Sequence, residues 1–217
     1  MIMNEKFDIY MNLLLEWNKK INLTAITEPA EIITKHFFDS LACEEYISHG
    51  ASVVDVGTGA GFPGIPLKIE RSDISLTLMD SLNKRINFLK EVCSKTNTEA
   101  ECVHIRAEDA GKDKAFREKF DVAVSQAVAN LTVLSEYCLP LVKKGGVMLA
   151  MKGKDIQQEL DEALPIIERL GGTVKGVKPY TIKGTDITHS IVIIEKTAPT
   201  PPKYPRTAAK IKKSIKK

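Results

Sequence analysis

Residues 55–67 read "DVGTGAGFPGIPL", with glycines at 57, 59, 61 and 64 after a short β-branched run. Glycine lacks Cβ, so it tolerates positive φ and lets a ligand come close to the backbone. A helix starting beyond such a loop aims its free N–H groups back at it. The stretch therefore predicts a strand, a loop and a helix, with a ligand crevice at the strand's C-terminal end.

Working outward, the texture stays the same for about a hundred residues. "SVVDVG" (52–57), "ISLTLMD" (74–80), "AECVHI" (100–105), "FDVAVSQ" (120–126) and "GVMLAMKG" (146–153) read as strands. Helical patterns over 63–71, 83–97, 130–142 and 155–170 separate them. Alternation of this kind predicts a parallel sheet covered on both faces. "GTVKGVKPYTI" and "HSIVIIEK", joined by "KGTDIT", predict an antiparallel hairpin at the end. Upstream, Phe7, Tyr10, Met11, Leu14, Trp17 and Ile21 fall near one helical face. Glu28-Pro29 marks another helix start, so 1–50 is expected to be a helical extension without strands. Its apolar face favours packing against the sheet over a role as a lid. The central domain is then 51–197, and 198–217 is a Pro-rich extended linker with a basic tail.

The 217 residues carry a net charge of +3, unevenly spread. Residues 203–217 hold seven Lys or Arg and no acid, leaving 24 basic and 28 acidic residues in 1–202. A mildly acidic body with a basic tail suits a polyanionic partner, most often nucleic acid. No run of eighteen apolar residues and no leader pattern is visible, so a cytoplasmic protein without membrane contact is expected. Cys43, Cys93, Cys102 and Cys138 are scattered and read as reduced core thiols. The four histidines are too dispersed for a metal pair, so no metal is expected.

Two cofactors compete for the glycine loop. "GAGFPG" (59–64) fits G-x-G-x-x-G, the dinucleotide pattern, but Gly57 is the first turn glycine and Pro63 falls where the helix should already run. The other pattern is an acid two residues before G-x-G-x-G, here Asp55 with Gly57, Gly59 and Gly61. That looks like the first motif of S-adenosylmethionine (SAM) dependent methyltransferases, and an acid beneath the loop suits a cationic cofactor. Asp80 ends the second strand, where a carboxylate can accept from ribose hydroxyls. "RAED" (106–109) follows the third strand, beside the expected adenine position.

Seven stretches occur in one order: "WNKKINLTAI" (17–26), "KHFFDSL" (35–41), the glycine loop, "DSLNKRINFLK" (80–90), "RAED", "AVANLTVLSEYCLPLVKKGG" (127–146) and "KYPR" (203–206). Together they resemble the ribosomal RNA small-subunit methyltransferase G family, also called glucose-inhibited division protein B, over residues 5–206. The resemblance implies a Rossmann-like class I SAM-dependent methyltransferase: an α/β fold whose mixed seven-stranded sheet has helices on both faces. It implies methyl transfer from SAM to N7 of a guanine in the decoding-region loop of 16S rRNA, leaving S-adenosylhomocysteine. The partner is then 16S rRNA or the small ribosomal subunit, with no DNA, and the chain is expected to be a monomer. Gly57 and Phe62 are implied to border the cofactor, Asp80 to take its ribose, and Ala107 and Glu108 to meet its adenine. Asp55 and Gly59 complete that expected set. Lys152 matches a lysine near the reaction centre. Asn22, His36 and Asp39 match positions facing the cleft, and Lys203 and Arg206 belong to the basic RNA-binding end.

Two departures stand at the expected reaction centre. Gln126 and His189 occupy positions where the family usually has arginine. With Lys152 they form the expected catalytic set, in which Gln126 either donates an N–H to guanine O6 or holds the methionine end of SAM. The tail continues "TAAKIKKSIKK" rather than with a Gly-Thr-Pro segment. These departures motivate an alternative, a non-catalytic SAM- and RNA-binding assembly protein of the same fold. A nicotinamide oxidoreductase, resting on "GAGFPG" alone, ranks far behind.

Overall fold

A computed structural model describes residues 4–215. It opens with helix α1 (Glu5–Asn18), whose first turn is capped by the Asn4 side chain accepting from the Lys6 N–H at 3.0 Å. A second helical stretch begins at Pro29, which pre-sets φ for a first helical turn. It runs as α2 (Pro29–Ile32), a wider π turn (Ile33–Phe38) and α3 (Asp39–Leu41).

Strand and helix then alternate: β1 (Ser52–Val56), α4 (Gly64–Glu70), β2 (Ser75–Asp80), α5 (Asn83–Thr96), β3 (Glu101–His104) and α6 (Ala107–Ala110). They continue through β4 (Phe120–Gln126), α7 (Leu131–Cys138), β5 (Val142–Gly153) and α8 (Gln157–Arg169), closing with β6 (Gly172–Thr181) and β7 (Thr188–Lys196). The sheet order is β3-β2-β1-β4-β5-β7-β6. β1 to β5 pair in parallel, while β7 lies antiparallel between β5 and β6. This is the mixed seven-stranded α/β sheet expected from the sequence. β1 and β4 sit next to each other where the strand order reverses, the place where such sheets open a crevice.

Period-two alternation sends side chains of the central strands into two separate cores. Val53, Val122 and Val124 face one core, while Val54, Val56 and Ala123 face the other. The first core includes Phe7, Tyr10, Leu14 and Phe37 together with Ile65 and Phe88, so the N-terminal helices are part of it. Phe7, Tyr10 and Leu14 are fully buried, and each such burial contributes about 2 kcal/mol. Tyr10 also donates its hydroxyl to the Ala60 carbonyl, so the extension braces the glycine loop.

The end of the chain differs from the expected extended linker. Arg117 donates to the carbonyls of Gly111, Thr200, Pro201 and Tyr204, and Tyr204 is buried against the second core. A guanidinium with five donors can hold several carbonyls of one turn, which outweighs the local preference for an open chain. Beyond it the chain forms α9 (Ala208–Ile215), with Ile211 buried. The tail's last two lysines, at 216 and 217, lie outside the described residues.

Candidate active site

A cleft of about 830 Å³ opens at the C-terminal ends of β1, β2 and β4, within the range of small-molecule sites. Its floor is the glycine loop. Gly57 and Gly59 hold φ of 72° and 60°, and the N–H groups of Gly57 and Thr58 both donate to the Met79 carbonyl. A Cβ on Gly57 would fall 2.9 Å from the Val128 methyls, so glycine lets Val128, which also lines the cleft, pack directly against the loop.

Asp55 lies beneath the loop rather than in the cleft. It is fully buried, and its Oδ2 accepts from Thr58 Oγ1 at 2.7 Å and from the Gly64 N–H at 2.9 Å. Oδ1 has no hydrogen-bond partner. Burial pushes its carboxyl up to about 7, against the opposing effect of those two donors. Asp55 thus ties the loop to the start of α4.

Asp80 lines the cleft at the end of β2. Its Oδ2 accepts from the Gly59 N–H at 3.0 Å and from Arg85 at 3.2 Å, and Oδ1 accepts from the Leu82 N–H. These contacts aim the carboxylate across the loop. Ala107 and Glu108 follow β3 and line the same end. "RAED" is not an open loop there: Arg106 is the N-cap of α6, which places Ala107 and Glu108 in its first turn. An acidic rim over a glycine floor fits a ligand carrying ribose hydroxyls, a purine and positive charge.

The other end is built around Asp39, which is 3% exposed. Gln126 Nε2 donates to its Oδ2 at 2.6 Å, Tyr180 donates its hydroxyl to Oδ1 at 2.6 Å, and His189 Nδ1 lies 3.1 Å from Oδ1. Burial pushes the Tyr180 phenol's pKa well up, and Asp39 adds to the effect. His36 stacks on Phe62 at 4.5 Å and its Nε2 meets Thr24 Oγ1 at 2.7 Å. Burial lowers the His36 pKa, which favours a neutral ring despite nearby Asp39.

Lys152 lines the cleft too, yet its ammonium is engaged. Nζ donates to the Ala129 carbonyl at 2.8 Å and pairs with Glu159 at 2.5 Å, while Glu159 also accepts the Leu131 N–H. Lys152 therefore holds the loop between β4 and α7. Ala127 in that loop has φ of 54°, a strained value for a residue with Cβ.

Of the expected site residues, the structure brings together Gly57, Gly59, Phe62, Asp80, Ala107 and Glu108. Gln126, Lys152, His189, His36 and Asp39 line the same cleft. Asn22 is exposed and Lys203 is exposed on the far strap; neither lines the cleft, and nor does Arg206. Arg206 forks onto the fully buried Glu136, with contacts of 2.5–3.0 Å. Sequence reasoning missed Arg85, Tyr180 and Glu159. Arg85 sits five residues after Asp80, in the first turn of α5, where its side chain reaches back to the strand end at 3.2 Å. The other two are joined to the cleft only by folding. Among the described residues, no group of three or more metal-ligating side chains forms, and no helix is long and apolar enough to cross a membrane.

The family model described as rRNA small subunit methyltransferase G matches residues 3–185. The chain is 50% identical over 212 residues to a Clostridium perfringens protein named ribosomal RNA small subunit methyltransferase G, covering 96% of this chain and 89% of that one. It is 52% identical to a protein of the same name from Alkaliphilus oremlandii, covering 93% and 85%. Among solved structures, it resembles an O-methyltransferase from Bacillus cereus in complex with SAH, with a TM-score of 0.59, 16% identity, and 90% and 93% coverage. The fibrillarin pre-rRNA processing protein of Methanococcus jannaschii aligns with a TM-score of 0.54 and 15% identity, covering 70% and 69%. At such identities the structural likenesses speak for the fold alone.

Proposed function

Because the chain belongs to the rRNA small subunit methyltransferase G family, we propose that it transfers a methyl group from SAM to N7 of a guanine in the decoding-region loop of 16S rRNA. The observation that carries this reading is the cleft itself, with the acids of β2 and α6 at one end and a polar cluster from four elements at the other. Asp80 would take the cofactor's ribose, Ala107 and Glu108 its adenine, and Gly57, Gly59 and Phe62 its central part. The bound cofactor supplies a methyl group already activated by a positive sulfur.

Guanine N7 offers a lone pair and carries no proton, so no general base is required. The protein's task is placement: a base brought out of its stack, N7 in line with the transferred group, and water excluded. Gln126 and His189 face that region, and Lys152 supports its wall. The glycine floor allows close approach without a side chain between the reactants. The chain is read as a cytoplasmic monomer acting on 16S rRNA or the small subunit, independent of membranes and DNA.

Methyl transfer from labelled SAM to unmethylated small subunits and to protein-free 16S rRNA tests this, with the product mapped by N7-specific chain cleavage. A single methylated guanine in the decoding-region loop is expected. SAM binding without transfer to either substrate would overturn it in favour of a non-catalytic assembly protein.

A further inference from the structure

The Asp39 cluster fixes which atoms its neighbours can offer a substrate. An ionised carboxylate only accepts hydrogen bonds. Gln126 must therefore turn its NH2 toward Asp39, 2.6 Å away, which leaves the side-chain carbonyl oxygen free. His189 meets Asp39 through Nδ1 at 3.1 Å, so the tautomer that Asp39 selects is the Nδ1–H one, whose Nε2 is an acceptor. Tyr180 spends its only donor on the same carboxylate at 2.6 Å. Gln126 and His189 both line the cleft, whereas Tyr180 stands behind them.

We propose that Asp39 and Tyr180 lock Gln126 and His189 as a pair of hydrogen-bond acceptors that reads the N1–H and N2 amine edge of the target guanine. This rests on the guanine-N7 reading above. It changes the sequence expectation that Gln126 donates to O6: Asp39 holds one of the two N–H groups of its amide, and the amide so fixed presents its oxygen. Guanine's chemistry suits the arrangement. N7 belongs to the imidazole side, and the N1–H and N2 donors lie across the ring. A base with N7 turned to the cofactor turns its donors toward the opposite wall. Adenine has an acceptor at N1 and no amine at C2, so it would leave both protein acceptors unpaired. Tyr180 is a positioning residue here, acting through Asp39.

The test compares RNA carrying guanosine with RNA carrying inosine at the target position, in whichever form, particle or free rRNA, the parent methylates. Inosine keeps N7, O6 and N1–H and lacks only the N2 amine. The parent is expected to prefer guanosine by roughly tenfold in kcat/KM. Tyr180→Phe should cut that preference by about threefold with SAM affinity unchanged, and the double variant Gln126→Leu/His189→Phe, which removes both acceptors, should abolish it. A purely structural role for Tyr180 would lower both rates and leave their ratio intact, which would overturn the proposal. So would equal N7 methylation of both RNAs by the parent, or survival of the ratio in the double variant. Absence of N7 methylation on the guanosine RNA would instead overturn the proposed function itself.

Discussion

Arg206 lies along Glu136, a fully buried carboxylate, and bonds both of its oxygens at 2.7–3.0 Å. The sequence suggests an RNA contact for this arginine, but its guanidinium is held here, and Glu136 in turn raises its pKa. Removing its side chain takes the counter-ion from a buried carboxylate and leaves it the backbone N–H of residue 206, which is costlier than losing a surface pair. Arg206 is 29% exposed, which tempers the effect. Arg206→Ala should therefore lose about 2–3 kcal/mol, a fall in Tm of roughly 4–10 °C, with little change in RNA affinity for the folded fraction. Calorimetry beside an RNA titration checks it. Weaker RNA binding at unchanged Tm would return Arg206 to the RNA interface.

Asp55 should leave a signature in stability against pH. Its folded pKa is raised to about 7 by burial, above the ordinary carboxylate value. Between about pH 4 and 7 the folded chain keeps a proton that the unfolded chain has released. Stability therefore falls as pH rises through that window, by a total on the order of 2–4 kcal/mol. Asp121, whose pKa is lowered to about 2 by Lys143 and Ser52 despite partial desolvation, works in the opposite sense below the window. The difference between the parent and Asp55→Asn isolates the effect. Asparagine can still accept from Thr58 and Gly64, and the Tm gap should narrow steadily from pH 4.5 to 7. A constant gap would show that Asp55 stays ionised.

The strands were legible because their signal is local. Val53, Val54 and Val56 in β1, and Val122 and Val124 in β4, are β-branched residues meeting a core on each face. Nothing in a short window can report partners far along the chain. Tyr180 meets Asp39 across 141 residues and Gln126 meets it across 87, so the cluster exists only after the hairpin folds against the N-terminal helices. The strap at 200–206 misled for the same reason. Proline-rich composition describes a chain without partners, whereas Arg117 and Glu136 supply them from 70 to 87 residues away. The glycine loop was readable as a binding floor. That Asp55 lies beneath it, and not in it, depends on α4 starting at Gly64.

Gly57→Ala should damage cofactor binding more than folding. Its φ of 72° is unfavourable for alanine, and the new methyl would sit 2.9 Å from both Val128 methyls. The backbone strain costs about 1–2 kcal/mol, and the methyl would displace Val128, which also lines the cleft. SAM affinity, measured by calorimetry, should fall by at least about tenfold. Adding Val128→Ala removes the contact but not the strain, so recovery should be partial. Full recovery would mean that the clash alone matters, and no loss at all would remove Gly57 from the cofactor surface.

Lys152 and Glu159 should behave as one unit. Lys152 holds the Ala129 carbonyl, Glu159 holds Lys152 and the Leu131 N–H, and the loop between carries the strained Ala127 beside Gln126. If the loop is their shared target, Lys152→Met and Glu159→Ala should each lower kcat by roughly tenfold, and the double variant should be hardly worse than either. Neither should change the salt dependence of RNA binding, because the ammonium is paired within the protein. A lysine that instead contacts a phosphate gives a different pattern: Lys152→Met alone would flatten the slope of log affinity against log salt by about one. Salt titrations of the two single variants, run beside the kinetic cycle, separate the two outcomes.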